Sequence, residues 1–372
     1  MSNLILKSGV ERTPKVIQME AMFDIPAAKT AQTTIIDNLP DLSSRPWNIG
    51  LIVGASGSGK STIARKHFGD LVDPKMEWDI NKAVIDAFPT KMSVKDVALL
   101  LSSVGFSSPP AWLRPFHTLS NGEQFRVSMA RLLAENPEMV VVDEFTSVVD
   151  RTVAKIGSTA LAKTVRRNGQ KFVAVSCHYD IAEWLTPDWT YEPATGTFRW
   201  ESLRRPPINI TIKRCHRSAW QLFARHHYLD HSNVTSWTAY VAFVDDQPAA
   251  ICTIMAMPHP KVKNARRIAR IVILPDYQGI GIGTHVMNTV ASAYVADGKQ
   301  MYITSSHPAA INGLNHNPNW AMVRKPSRVQ AQGKTSTVGR DLTSSRGRVT
   351  ASFKYVGEPS ATARRLLPNQ GH

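Results

Sequence analysis

Cysteine is scarce: three residues, Cys177, Cys215 and Cys252, far apart and odd in number. That excludes a disulfide framework and suits free thiols in a reducing cytoplasm. Long apolar runs are missing as well. No stretch approaches the ~18 residues of a membrane-spanning helix, and the opening MSNLILKSGVERTPK has neither the apolar core nor the small-residue cleavage site of a secretory leader. These features predict a soluble, cytoplasmic protein with no membrane partner. Repeats and low-complexity tracts are absent, and 43% hydrophobic against 20% charged residues across 372 positions excludes a mainly disordered chain. Length alone allows two to three domains.

Acidic residues are short in one half only. Residues 1–200 hold 22 Lys and Arg against 21 Asp and Glu, whereas residues 201–372 hold 22 against 8. Nearly all of the +15 net charge therefore belongs to the second half, which suits a polyanionic partner there; a solvated basic face, or affinity for an anionic cofactor alone, is the plainer alternative. The joint is ESLRRPP (201–207), separating a first domain at 1–200 from a second at 208–372.

In the first half short apolar strands alternate with helical patterns, as in an α/β fold. NIGLIV (48–53), MVVV (139–142) and FVAVS (172–176) read as buried parallel strands, with a helix opening near Ser58. Between the first strand and that helix lies GASGSGKST (54–62), which fits G-x-x-x-x-G-K-[ST]. Its glycines let backbone N–H groups face phosphate oxygens at a helix N-terminus; Lys60 reaches the β- and γ-phosphates, and Ser61 offers a hydroxyl to Mg²⁺. LSNGEQ (119–124) follows and opens the amphipathic FRVSMARLL; then come MVVVDEF, a strand ending in Asp143 and Glu144, and FVAVSCHYD, which sets His178 just past a strand.

This ordered set resembles the ATP-binding-cassette (ABC) ATPases across most of residues 45–200. The resemblance implies that Gly54, Ser56, Gly57, Gly59, Lys60, Ser61 and Thr62 form the Walker A loop for ATP, and that LSNGE is a variant LSGGQ signature whose Ser120 and Gly122 meet nucleotide bound by another cassette. Asp143 would join Ser61 in the Mg²⁺ shell, Glu144 would polarise the attacking water, TSVVD (146–150) would be the D-loop, and His178 would contact the γ-phosphate. Asn121 and Glu123 depart from the signature pattern, and no glutamine lies between Thr62 and Leu119 to serve as a Q-loop, which argues against transport. Trp78, Asp79 and Phe23 are candidates for the unassigned Q-loop and adenine-stacking roles. One cassette per chain implies an ATP-sandwiched homodimer or an unseen partner.

The second half predicts strand 208–214, helix 216–228, a hairpin of strands 237–244 and 249–257 turning at 245–248, strand 268–274, helix 283–296 and strand 301–305. From about Pro318 a basic tail follows, within which RVTASFKYV (348–356) alternates like one more strand. The turn Gln278-Gly279-Ile280-Gly281-Ile282-Gly283 between strand and helix suits a pyrophosphate, and taken alone fits a dinucleotide equally well, with Asp297 near the distance of a ribose-binding carboxylate. The element order around it resembles the GCN5-related N-acetyltransferase (GNAT) fold, an α+β domain with a mixed sheet, and QGIGIG matches the Q/R-x-x-G-x-G/A loop of that family. The resemblance implies that residues 278–283 bind the pyrophosphate of acetyl-CoA or another acyl-CoA, and that Ile271 and Ile273 of the preceding strand line the acyl arm.

The combination resembles ABC-ATPase/acetyltransferase fusions whose second domain is similar to phage Mom-type proteins that alter adenine in DNA. The residues carrying that step are HHYLD (226–230), the strand and glycine loop, and RVTASFKYV. His226, His227 and Asp230 are candidate bases or acceptor-orienting groups, Tyr228 a proton donor or stacking ring, and Ser305, with Ser306 and His307, a group near the thioester. HHYLDH also contains metal-ligand types without a partner cluster, and a polar helix end is the plainer reading of it. The series Arg324, Lys325, Arg328, Lys334, Arg340, Arg346, Arg348 and Lys354, with Trp320 and Tyr355 near, suits nucleic acid, DNA before RNA. Three functions remain open: base modification in nucleic acid, acetylation of tRNA, protein or a small amine, and nucleic-acid binding without transfer.

Overall fold

A computed structural model describes residues 2–9, 11–26, 30–69, 76–201, 207–227, 237–258, 262–328 and 349–367. The chain forms two compact units that interleave in sequence. The first takes residues 1–75, 136–147 and 165–205, the second residues 76–135, 148–164 and 206–372.

The first unit opens with an antiparallel pair, β1 (Ser2–Gly9) and β2 (Thr30–Asp37), joined through helix α1 (Pro14–Met22). β3 (Ile49–Val53) leads into helix α2 (Lys60–Phe68). Its main sheet is completed by β4 (Met139–Val142), β5 (Lys171–Ser176), β6 (Trp189–Glu192) and β7 (Thr197–Trp200), in the order β4-β5-β3-β6-β7. All neighbours are parallel except β6 and β7. Every residue of β3 is buried, which explains its unbroken apolar run: a parallel strand covered on both faces has no polar side to show. Gly50 is required there, since a Cβ would stand 2.0 Å from the Trp189 ring.

In the second unit a helical layer comes first: α3 (Val94–Ser103), α4 (Pro109–Trp112), α5 (Asn121–Glu135) and the early turns of α6 (Arg151–Asn168), whose last turn belongs to the first unit along with α7 (Ile181–Leu185). Gly157 of α6 lets Phe125 of α5 close in; a Cβ would lie 2.9 Å from that ring. The remainder is a seven-stranded mixed sheet. Its strands are β8 (Ile210–Cys215), β9 (Trp237–Val244), β10 (Gln247–Ala256), β11 (Ala265–Ile273), β12 (Gln300–Ser305), β13 (Trp320–Arg328) and β14 (Val349–Tyr355), ordered β13-β14-β12-β11-β10-β9-β8. Only β11 and β12 run parallel. The β9–β10 hairpin turns on Asp245 and Asp246, both at positive φ, the conformation of a two-residue turn that matches strand twist. Helix α9 (Ile282–Ala296) buries Val286, Val290 and Ala293 on one face of this sheet; α8 (Trp220–Phe223) packs Trp220 and Phe223 on the other. α10 (Pro308–Asn315) and α11 (Ala361–Arg364) complete the unit.

Three expectations need correction. The segment from Pro318 is no simple tail, because besides the strand read at 348–356, found as β14, it contributes the unexpected strand β13 to the sheet. Trp320 and Tyr355 offer no stacking surface: they lie 4% and 6% exposed, edge to face at 5.2 Å within the core. The helix expected over 216–228 is two short 3₁₀ turns flanking the four residues of α8.

Candidate functional site

In the first unit the phosphate loop lies at the C-terminal end of β3, where open α/β sheets carry their ligands. Gly57 (φ +78°) and Gly59 (φ +86°) take left-handed conformations, and a Cβ on Gly59 would meet Ile35 at 2.7 Å. Lys60 is 8% exposed, and its Nζ donates to the Ala55 carbonyl at 2.8 Å, so the ammonium folds over the loop. The buried Ser58 Oγ has no hydrogen-bond partner. Ser56 is exposed; Ser61 and Thr62 are half-buried in the first turn of α2. Gly54 N donates to the Ser176 carbonyl (3.3 Å), which ties the loop to the end of β5.

The neighbouring strand ends bring the other candidates to this edge. Asp143 follows β4, and its Oδ1 accepts from the Glu144 N–H at 3.0 Å. Glu144 is exposed at φ +52°. Phe145 N donates to Val175 O, and Ser176 Oγ donates to Phe145 O (3.1 Å) while accepting from His178 N (3.2 Å). β4 and β5 are thus sewn together just where Asp143, Glu144 and His178 emerge. A donor-lined loop, a buried ammonium and a hydroxyl with a carboxylate nearby suit a triphosphate with Mg²⁺. Phe23 is exposed at the end of α1, whereas Trp78, in the second unit, stacks on Phe116 (4.4 Å) beneath Arg131. Asp79 is occupied by Asn81 N–H and Lys82.

In the second unit Ser120 and Glu123 form a reciprocal cap at the start of α5: the Ser120 N–H and Oγ both donate to Glu123 Oε2, and Ser120 Oγ accepts from the Glu123 N–H. Glutamate at the signature's glutamine position is explained by this cap. Gly122 is half-buried against Val153.

The glycine turn opens α9 as expected, with Gly279 (φ +87°) and Gly281 (φ +99°) left-handed and Gly281 exposed. A Cβ on Gly283 would meet Ile273 at 2.9 Å, so glycine lets α9 start hard against β11. Ile280 is half-buried and Ile282 buried. β11 carries an extra residue, Ala269, since Thr253 opposes Arg270 while Ile254 opposes Ile268. Its pairing with β12 ends at Ile268 and Ile303; Thr304 and Ser305 pair with β14 alone. A bulge bends and twists its strand, and here the two parallel strands part into a fork. Ile271 and Ile273 lie on the bulged arm, half-buried toward α9.

The remaining candidates are distributed unevenly. Ser305 Oγ, on the other arm, accepts from His307 N at 3.1 Å. His307 lies edge to face with Trp112 (5.8 Å); burial pulls its imidazole down, against a Ser107 backbone contact that raises it. His227 is buried edge to face on Trp220. Half-buried His226 accepts from Arg225 Nε at 3.0 Å, and burial and Arg225 lower its pKa while Glu123 and Asp276 oppose. Tyr228 and Asp230 lie outside the described residues, as do Lys334, Arg340, Arg346 and Arg348. Among the described residues no three His, Cys, Asp or Glu side chains gather as a metal site.

Three residues here had no flag in the sequence: Ser107, Arg126 and Asp276. Arg126, on α5, is 1% exposed although an arginine. Its only local signal is its place inside an apolar helical run.

Comparison with known proteins agrees with this geometry. The Acetyltransferase (GNAT) family model matches residues 180–312. It begins some 30 residues before β8, within elements that pair in the first unit. The energy-coupling factor transporter ATP-binding protein EcfA1 of Geobacillus kaustophilus is 30% identical over 170 residues, covering 36% of this chain and 60% of that protein. The zinc import ATP-binding protein ZnuC of Pseudomonas entomophila is 29% identical over 157 residues, covering 37% and 59%. The chain thus spans about 60% of the length of these relatives. The dimeric bacterial ABC transporter cassette MJ0796 aligns at 18% identity over 47% of this chain and 90% of that one, with a TM-score of 0.34 that carries no weight alone. Among the described residues no helix is long and apolar enough to cross a membrane. Sequence, sheet topology and relatives agree that the chain joins an ABC ATPase-like fold to a GNAT domain with a mixed sheet.

Proposed function

We propose that the protein hydrolyses ATP and transfers an acyl group from acyl-CoA to an amine of a nucleic-acid base, with DNA adenine the first acceptor to test. The observation that carries the reading is the fork: a strand bulged at Ala269 parts from β12 and runs into a turn whose left-handed glycines start a 15-residue helix. Donors at the helix start suit a pyrophosphate, and the gap between the strands suits an extended thiol arm. In the transfer the acceptor nitrogen bonds to the thioester carbonyl carbon, the C–S bond breaks, and the amine proton ends on the departing thiolate. His226 is the candidate relay for that proton, since desolvation by burial and the neighbouring Arg225 lower its pKa and favour the neutral ring.

At the nucleotide site Lys60 neutralises phosphate charge, Ser61 and Asp143 fit a Mg²⁺ ion, and Glu144, exposed beside them, suits an oriented water. Bound Mg²⁺ would supply further charge neutralisation between the phosphates. One phosphate loop and one signature segment per chain suit two copies completing each other's sites in a homodimer.

The acceptor class rests on charge. A cavity of about 390 Å³ on the open sheet face beside the fork includes Arg267, Tyr302, Thr304, Arg324 and Ser352 in its lining, with no carboxylate. The cross-strand row Arg267–Tyr302–Lys354 adds a third cation. Cations beside a phenol ring suit a phosphodiester strand and an unpaired base. The three unbridged cysteines suit a reducing cytoplasm.

Nucleoside mass spectrometry on DNA and RNA from cells expressing the protein tests this reading. An acyl-modified base is expected, lost in Glu144→Gln if ATP hydrolysis drives the reaction. Unmodified nucleic acids together with CoA release on adding a small amine would overturn the acceptor assignment. Nucleic-acid binding without CoA release would overturn the transferase.

A further inference from the structure

Within the second unit the helical layer that carries the signature is seated on the back of the glycine turn. Ser107 N donates to Gln278 Oε1 at 2.7 Å, while Gln278 Nε2 donates to the Ile273 carbonyl at 2.9 Å. The side chain at the turn's first position is therefore held from the layer on one side and from β11 on the other. The backbones touch with no space for side chains: a Cβ on Gly105 would lie 2.7 Å from the Gln278 carbonyl oxygen, and one on Gly279 would lie 2.9 Å from Gly105 Cα and 2.8 Å from Ala160 Cβ.

Arg126 stands in the middle of this seat. Its Nη2 donates to the Asp276 carbonyl at 3.3 Å, and Nη1 lies 3.9 Å from the Asp276 carboxylate. A Cβ on Gly122 would be 3.7 Å from Nη1, and one on Gly105 would be 3.3 Å from Nε. The guanidinium therefore lies beside the signature glycine, one turn back on its own helix, and against the entry to the glycine turn. Among the described residues its Nε has no hydrogen-bond partner, and burial lowers its pKa against the carboxylates of Asp276, Glu123 and Asp150. A buried, incompletely satisfied arginine with a single acceptor residue is energetically expensive. Charge nearby acts on such a guanidinium, as Asp276, Glu123 and Asp150 do, where it would not act on a packed apolar residue.

We propose that Arg126 couples the two ligand sites of the second unit: nucleotide engaged at Ser120 and Gly122 tightens acyl-CoA at Gly279–Gly283, and acyl-CoA tightens nucleotide by the same factor. This rests on the acyl-CoA reading above. An anion drawn to the start of α5 holds the layer in place, so that the turn seated on it no longer has to be ordered when the second ligand arrives. Arg126 is a positioning residue in this scheme, touching neither ligand.

The test uses the full chain at concentrations where two copies associate, with acetyl-CoA titrated in the presence and absence of a non-hydrolysable ATP analogue. Roughly a tenfold tightening is expected, with equal tightening in the reverse titration. Arg126→Met should bring the factor near one while each ligand alone still binds. Asp276→Lys, at a half-exposed position that leaves the core intact, should do the same by placing a like charge against the guanidinium. A packing role alone for Arg126 would lower the melting temperature and leave the factor unchanged, which overturns the coupling. Independent binding of both ligands by the unaltered protein overturns the coupling and spares the acyl-CoA reading. Absence of acetyl-CoA binding in any condition overturns both.

Discussion

Gly279 and Gly281 sit two residues apart in one turn, both left-handed, yet they face different surroundings. Alanine at either position must adopt a left-handed backbone, at about 1–2 kcal/mol. At Gly281 nothing lies within 4 Å of the new methyl group, so the penalty ends there. At Gly279 the methyl group would press on Gly105 Cα and Ala160 Cβ at 2.9 and 2.8 Å, and backbone cannot swing aside as a flexible side chain can. Overpacking of that kind adds about 1–3 kcal/mol. For a unit of this size each kcal/mol shifts the melting temperature by roughly 2–4 °C, so Gly279→Ala should melt roughly 2–12 °C below Gly281→Ala. Thermal unfolding followed by near-UV circular dichroism measures the gap, since tryptophans such as Trp112, Trp220 and Trp320 report on this unit. Equal melting temperatures for the two variants would mean that the signature layer does not rest on the turn in solution, and the route through Arg126 would fall with it.

Lys60→Met should reduce ATP turnover by about 100-fold or more, the scale of losing one aimed donor at a charged transition state, with the far-UV spectrum unchanged; a steady-state phosphate-release assay reads it. Asp37 accepts from Lys66 Nζ (2.5 Å) and His67 Nε2 (2.8 Å); burial pushes its carboxyl up, but those two partners prevail and hold it below 3.8. Its folded-state pKa being depressed, the stabilisation is present above 3.8 and fades as the pH falls through the folded value. The stability gap between the unaltered protein and Asp37→Asn, measured by urea unfolding, should therefore close in acid as the pH falls through the folded-state value. Arg267→Ala with Arg324→Ala should flatten the salt dependence of single-strand binding, by about 0.7 in log–log slope for each phosphate contact removed; an unchanged slope would clear the open sheet face of that role.

The nucleotide loop was legible because its chemistry is local. The residues of GASGSGKST are contiguous, and the strand before them announces itself by a buried apolar run. The glycine turn was legible for the same reason, and β9, β10 and β12 lay close to their expected spans because each alternates or is apolar throughout. The seat on the turn was not. Gly105 reads as an ordinary glycine in VGF, Ser107 as loop, and Arg126 as a charge on an amphipathic helix. What makes them matter is a meeting between segments about 150 residues apart, and no periodicity encodes it. Trp320 and Tyr355 misled in the opposite sense: amid a basic sequence they looked like stacking rings, but alternation in β14 turns Tyr355 into the core and Lys354 out, Trp320 lies opposite Tyr355 on the core face, and a register shift after Met322 turns Arg324 away from it. Ala269 was silent because a bulge adds one residue to a run of strand formers without disturbing its composition.

The seat also bears on how this protein can be divided. Cutting at the proline-rich joint would free residues 208–372 as a fragment resembling a whole enzyme, yet it would strip the cover from Gly279, leave Gln278 without its Ser107 donor and bare the side of His307 that Trp112 now faces. Such a fragment should aggregate or bind its thioester poorly, so an inert excised half would say nothing against the enzyme. The boundary between the two units runs through space, and scissors applied to the linear text will miss it.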